Sequence, residues 1–163
     1  MFTVGDYLVY RRDVCKVVEI KKNFFQNEDG YVLKPVNDDS LKIKVPVNNK
    51  HIRALLSKNE IEQLIDHITE IPVIEGFDKL IENEYRNLLK SENHEDLIKV
   101  IKTTYARNQE RIDNNKKIGE KDDTYFKLAE TYLYSEIAVV LNMSFEEAKQ
   151  YVISKVETTN VYK

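Results

Sequence analysis

The sequence predicts an α+β protein: a small, strongly bent N-terminal β-sheet followed by a compact all-α domain of about five helices. Two observations carry this. Up to His51, apolar residues alternate with polar ones in short runs separated by turn formers. After Leu56 they recur every three or four residues, behind helix-capping signatures. The expected domains are residues 1–52 and 53–163.

In the first segment, Tyr7 and Val9, then Val14, Lys16, Val18 and Ile20, form near-alternating runs rich in β-branched and aromatic residues, with Arg11-Arg12-Asp13 as a polar turn between them. Asn23 to Gly30 reads as a loop in which Asp29-Gly30 closes a hairpin. Tyr31 to Val36 is the next strand, and Asn37-Asp38-Asp39-Ser40 a run of turn formers. Leu41 to Pro46 is the clearest strand: Leu41, Ile43 and Val45 make an apolar face, and Lys42 and Lys44 a cationic one. Pro46 has no N–H to give, so the strand ends there or lies at an edge. So many short strands in so few residues cannot build a sandwich, and a bent sheet or open barrel is the economical answer.

The helices follow. Ser57 and Glu60 fit a capping box ahead of the stripe Ile61, Leu64, Ile65 and Ile68. Beyond Pro72, Phe77, Leu80, Ile81, Leu88 and Leu89 give a second stripe. Leu97, Val100, Ile101 and Tyr105 give a third, in a helix reaching about Ile112. A polar loop from Asp113 to Gly119 leads to a long fourth helix with Phe126, Ala129, Leu133, Ile137 and Val140 on one face, closed by Asn142. Ser144 and Glu147 box a fifth helix, whose stripe is Ala148, Val152 and Val156, and the tail after Glu157 is expected to fray.

Composition narrows the function. With 42% hydrophobic and 33% charged residues the chain is expected to be globular and, lacking any long apolar run, cytoplasmic with no membrane role. Cys15 is the single cysteine, which excludes an internal disulfide and a cysteine-based zinc site. His51, His67 and His94 have no metal-ligand spacing and read as isolated surface or interface histidines. No phosphate loop, dinucleotide fingerprint or nucleophile elbow is present. Glu120, Asp122 and Asp123 open a helix, where its positive end accounts for them better than a metal does. No enzyme chemistry, cofactor or metal is therefore expected.

Binding surfaces are better represented. The net charge of −3 divides into +2 for residues 1–52 and −5 for the remainder, so any nucleic-acid contact by the helical part must come from a local face and be weak. Lys79, Asn83, Arg86 and Lys90 share one helix face, flanked by Glu82 and Glu84, which leaves a solvated face and a phosphate contact as rival readings. Arg107 and Arg111 form a second basic pair beside Glu110. On the sheet, Lys42 and Lys44 serve solubility in a lone domain, or meet acidic partner groups in a docking module.

The order of these parts resembles a known family. Val4-Gly5-Asp6-Tyr7-Leu8-Val9-Tyr10 resembles the opening Val-Gly-Asp-x-Val-Val-Tyr of the CarD family of bacterial transcription regulators, and Leu41 to Pro46 its strand ending in Val-Pro. Arg107-Asn108-Gln109-Glu110-Arg111 is similar to the family's Arg-Asp-Gln-Glu-Arg, and Gly119-Glu120-Lys121 to its Gly-Glu-Lys. The resemblance implies a Tudor-like domain that docks on the β subunit of RNA polymerase, and a helical domain that touches promoter DNA and modulates the open complex. It places Lys44 where the family has a polymerase-contacting arginine, with Lys42 beside it, and Lys22-Asn23 near a second basic contact. Arg86 falls where the family has a basic residue facing DNA, with Lys79 and Lys90 on the same stripe.

Two departures stand out. Arg11-Arg12-Asp13-Val14 replaces the family's Pro-x-His-Gly, and the chain has no tryptophan where the family sets one as a minor-groove wedge. By register that position falls at Ile81 or Leu80. An aliphatic side chain can wedge beside a base step, and Ile81 fits the core stripe as well. Extra residues can also put Asp123 where the family's DNA-contacting lysine stands. The expected partners are thus the polymerase β subunit and, weakly and once docked, promoter DNA. The alternative is a protein-interaction module with no direct DNA role.

Overall fold

A computed structural model describes residues 1–76 and 78–161. The chain divides into two compact units, Met1–Leu56 and Ser57–Lys163. The boundary falls beyond the expected residue 52, because Arg53 pairs with Val9 and so stays with the sheet.

The first unit is one antiparallel sheet of β1 (Tyr7–Tyr10), β2 (Asp13–Phe25), β3 (Glu28–Pro35), β4 (Ile43–Pro46) and β5 (Ile52–Arg53), in the order β4-β3-β2-β1-β5. The Val4-Gly5-Asp6 stretch is a turn. Gly5 sits at φ 97°, the Thr3 N–H donates to Asp6 Oδ2 at 2.9 Å, and backbone bonds join Gly5 and Asp6 to Val17. Only glycine adopts that φ without strain. Leu8, Cys15, Val17, Tyr31, Leu33 and Val45 fill the core, with Phe2 edge-on to Tyr31.

The sheet departs from expectation in two places. The β2–β3 hairpin turns at Gln26-Asn27, both left-handed at φ 46° and 65°, between paired Phe25 and Glu28, while Asp29-Gly30 lies inside β3. Two positive φ values in a two-residue loop match the strand twist, and asparagine tolerates them. Gly30 is required for another reason: a Cβ there would lie 2.6 Å from the Phe24 ring that crosses it. The strand expected from Leu41 begins at Ile43 instead. Asp38 Oδ1 accepts from the Ser40 N–H and Oγ at 3.0 and 2.6 Å, and Asp38 O from the Leu41 N–H, so side-chain capping holds the chain in a turn past Ser40. Leu41 is consequently exposed and Lys42 lies outside the ladder. Pro46 ends β4, which pairs with β3 alone and forms one edge of the sheet.

Among the described residues the second unit holds five helices: α1 (Lys58–Asp66), α2 (Asp78–Lys90), α3 (His94–Asp113), α4 (Glu120–Leu141) and α5 (Phe145–Val161), with one 3-10 turn at Ile68–Glu70. Both capping boxes form: Ser57 with Glu60, and Ser144 with Glu147, each by reciprocal backbone bonds of 3.0–3.1 Å. Asn142, at φ 53°, ends α4 in the left-handed conformation expected of a helix stop. The last helix, expected to fray after Glu157, runs to Val161. Between α1 and α2, Lys102 Nζ donates to Ile68 O at 2.8 Å and Ile71 O at 2.5 Å, and Thr103 Oγ1 accepts from the Ile74 N–H at 2.9 Å. α3 thereby fastens the α1–α2 connection.

The buried set includes Ile61, Ile65, Ile81, Tyr85, Leu89, Leu97, Ile98, Leu133, Ile137, Ala148 and Val152. On α2 the buried stripe is Ile81, Tyr85 and Leu89, at steps of four. Leu80, one position off that stripe, is 59% exposed, contrary to the expected pattern. Tyr105 is also exposed and lies against Phe126 on α4, with ring centroids 6.3 Å apart. Phe77, expected in the α2 stripe, lies outside the described residues. No helix among the described residues is long and apolar enough to cross a membrane.

Candidate functional site

Each unit presents one candidate surface. In the sheet unit it is the β4 edge. Ile43 and Val45 pair with Leu33 and Tyr31 on the core side, so Lys44, opposite Val32, projects from the other face and is exposed. Lys42 is exposed too, but precedes the strand, so no ladder fixes it on the face of Lys44. Lys22 and Asn23 lie in the irregular far end of β2. Lys22 Nζ meets Asp29 Oδ2 at 3.0 Å, and Asn23, at φ 51°, gives its N–H to Asp29 Oδ1 at 3.3 Å. The Lys22 hydrogen bond, followed by that of the Asn23 backbone, holds the Asp29 carboxyl below its ordinary pKa. This ion pair is exposed and salt-screened, so it constrains Lys22 only weakly.

In the helical unit the candidate is the α2 face carrying Lys79, Asn83, Arg86 and Lys90, all exposed. Glu82 lies within it. Its Oε1 takes Arg86 Nη2 at 2.8 Å and the Tyr125 hydroxyl at 3.2 Å, and its Oε2 lies 3.1 Å from Lys121 Nζ. The hydrogen bond from Lys121, outweighing partial burial, holds the Glu82 carboxyl low. One carboxylate thus meets two cations and joins α2 to α4, which leaves Lys79 and Lys90 as the outer charges of the stripe. Of the two positions the register allows for a wedge, Ile81 takes the core place that its stripe also offered, 7% exposed at i, i+4 spacing from Tyr85, whereas Leu80 faces outward.

The structure also brings together residues that the sequence reading kept apart. Asp122, 4% exposed in the first turn of α4, accepts the Tyr85 hydroxyl at 2.8 Å, Arg107 Nε at 2.9 Å and Arg111 Nη1 at 2.6 Å. Burial pushes its carboxyl up, but the bonds from Arg111, Tyr85 and Arg107 outweigh this and hold it below the ordinary value. Burial, then the Asp122 bond, pushes the Tyr85 hydroxyl up. Asn108 Oδ1 accepts from Arg111 Nη1 at 2.5 Å and from the Gly119 N–H at 2.8 Å, fixing the loop before α4. The arginine-rich and glycine-led motifs are therefore two halves of one interlock. The helix-dipole reading of Asp122 and the surface reading of the arginines miss this. The signal was the spacing Val100, Thr104, Arg107, Arg111, which continues the inward face of α3 and calls for a buried acceptor.

His94, expected as an isolated histidine, is buried at the start of α3 with Nε2 2.8 Å from Glu136 Oε1. Openings lie beside these residues. A cavity of about 510 Å³ between α3, α4 and α5 is lined mainly by apolar residues such as Ile98, Leu133 and Val152, with Lys102 and the Glu130–Lys149 pair among them. A polar recess of about 170 Å³ at the end of α3 is lined by Arg107, Glu110, Arg111, Asn114 and Lys116. No cluster of three metal-ligating side chains occurs among the described residues. Comparison of the sequence with protein-family models and with curated proteins finds no match.

Proposed function

We propose that the chain is a bacterial, cytoplasmic transcription regulator that docks on the β subunit of RNA polymerase through its sheet unit. Its helical unit then modulates the open promoter complex through weak contacts with promoter DNA. The observation that carries this reading is the β4 edge: a short strand open on one side, with Lys44 projecting opposite Val32 at the position the CarD resemblance assigns to polymerase. An unpaired edge offers backbone groups for a partner strand, and a lysine beside it steers toward acidic partner groups. Docking raises the local concentration of the helical unit near DNA, so a unit of net negative charge acts through a small basic face. Exposed Leu80 takes the wedge role there in place of Ile81.

The test pairs a docking assay on the polymerase β subunit with open-complex lifetime. Lys44→Glu abolishes docking and leaves the melting temperature unchanged. Lys79→Glu combined with Lys90→Glu alters the open-complex effect and leaves docking intact. Docking by Lys44→Glu at wild-type affinity refutes the assignment of β4.

A second reading, in which the helices bind a protein partner and no DNA, is favoured by one observation: Glu82 neutralises part of the basic stripe. Salt separates the two. Phosphate contact makes affinity for promoter complexes fall more steeply with salt than docking on polymerase alone. Equal slopes select the second reading.

A further inference from the structure

The cavity of about 510 Å³ lies within the helical unit, and α3, α4 and α5 each turn one face to it. On α3 that face is Ile98, Ile101, Lys102 and Tyr105, and α4 and α5 line it at comparable steps from Phe126 to Tyr134 and from Lys149 to Val156. At about 1.5 Å of rise per residue, the α3 face is about 10 Å long. Tyr105 is exposed with its ring against Phe126, so this aromatic pair marks the mouth, whereas Leu133, Tyr134 and Val152 are buried and mark the depth. Size and lining point to a small organic ligand. Pockets that hold one run from roughly 300 to 1,000 Å³ and are mostly apolar with a few polar groups, and apolar cavities of only about 150 Å³ take up benzene.

The polar groups of the lining decide the kind of ligand. Glu130 is met by Lys149 at 3.2 Å, and Lys102 Nζ already donates to Ile68 O and Ile71 O. Glu157, also in the lining, is exposed to solvent. Burial lowers the pKa of Lys102 and raises those of Glu130 and Tyr134, the last to about 12. Groups of both signs thus shift toward their neutral forms, so a bound charge of either sign would be poorly solvated there. The Tyr134 hydroxyl makes no hydrogen bond among the described residues, which leaves it one polar group of a ligand to meet. We propose that this cavity binds an uncharged, mainly apolar small molecule with a single hydroxyl or carbonyl, on the scale of a medium-chain alcohol. The site shares no residue with the β4 edge or the α2 face, and it stands or falls independently of the polymerase reading.

The experiment uses the full chain. N-phenyl-1-naphthylamine, an uncharged dye whose emission rises in apolar surroundings, is titrated first. It is then displaced by decanol, decanoate or decylamine, which share one alkyl chain and differ in charge. Saturable one-to-one binding of the dye is expected, with decanol displacing it at about tenfold lower concentration than either charged homologue. Ile101→Trp and Ile153→Trp, at half-buried positions of the lining, fill the cavity with an indole and weaken the dye and decanol about tenfold. Leu41→Ala, at an exposed apolar residue of the sheet unit, changes neither, and thermal melts confirm that each variant folds. The wild type reports the site without any substitution: decanol shifts the methyl signals of Ile68, Ile98, Ile101 and Ile153 and leaves those of Ile43 and Ile52 in the sheet unit in place. Dye binding that does not saturate, folded Trp variants that bind as the wild type does, or shifts spread equally over the sheet overturn the proposal. Displacement by decanoate or decylamine at or below the decanol concentration also overturns it, since the ligand would then be a charged one.

Discussion

The Tyr85 hydroxyl donates a 2.8 Å hydrogen bond to the buried carboxylate of Asp122, joining the middle of α2 to the first turn of α4. Arg107 and Arg111 reach the same carboxylate from α3, so three helices meet on one charge. Asp122→Asn keeps the shape but removes that charge. Breaking one side of a fully buried ion pair costs about 3–5 kcal/mol. Here the two arginine side chains are 23% and 29% exposed, so solvent relieves part of the loss and about 2 kcal/mol is expected by chemical denaturation. Tyr85→Phe removes a single hydrogen bond to a charged group and costs about 1.5 kcal/mol. A neutral outcome for both would show that the interlock does not hold the helices together.

The same carboxylate gives a pH signature. Its folded pKa lies below the ordinary 3.8. A depressed carboxyl contributes stability that is fully present above the unfolded value and is lost as pH falls through the lower folded value. The stability gap between wild type and Asp122→Asn is therefore constant from pH 7 to 5 and closes below pH 4. A gap that widens with acid would contradict the sign of the shift.

Leu80 and Ile81 are adjacent in sequence and opposite in exposure. Truncating buried Ile81 to alanine lowers stability by about 2–4 kcal/mol, while Leu80→Ala leaves the melt within about 0.5 kcal/mol of wild type, as exposed substitutions do. Under the proposed function, Leu80→Ala changes the open-complex lifetime in a polymerase assay and a fold-matched surface control does not. An unaltered lifetime removes Leu80 from the DNA.

Cys15 is fully buried in the sheet core, and burial, reinforced by Asp13, pushes its thiol up to about 12. The thiolate is the reactive form, so a thiol reagent at pH 7.5 leaves the native protein unlabelled and modifies one site after denaturation. Fast labelling of the native state would mean that the sheet opens locally.

Local chemistry made much of this legible in the sequence. Ser57 with Glu60, Ser144 with Glu147 and Asn142 each act within one helical turn, and their pattern is visible in a short window of residues. The α+β division follows from periodicity alone. Tertiary choices are less accessible. Whether Gln26-Asn27 or Asp29-Gly30 forms the turn depends on the register of β2 against β3 and on the Phe24 ring over Gly30, and both are properties of the paired strands. The candidate surfaces divide similarly. Lys44 was readable because strand alternation fixes its face, whereas Ile81 and Leu80 differ by one position on a helix whose angular setting is decided by Tyr85. Asp122 finds its arginines on the preceding helix, across the loop before α4, a pairing that no window of one helical turn contains.

The architecture of β4 bears on solubility. An unpaired strand edge is a template on which identical molecules can stack into fibrils. This one is only four residues long, carries a charged lysine in its middle and ends in a proline with no N–H to give. Each feature disfavours extension of the sheet by a second copy. The edge is thereby kept from recruiting a second copy of the chain.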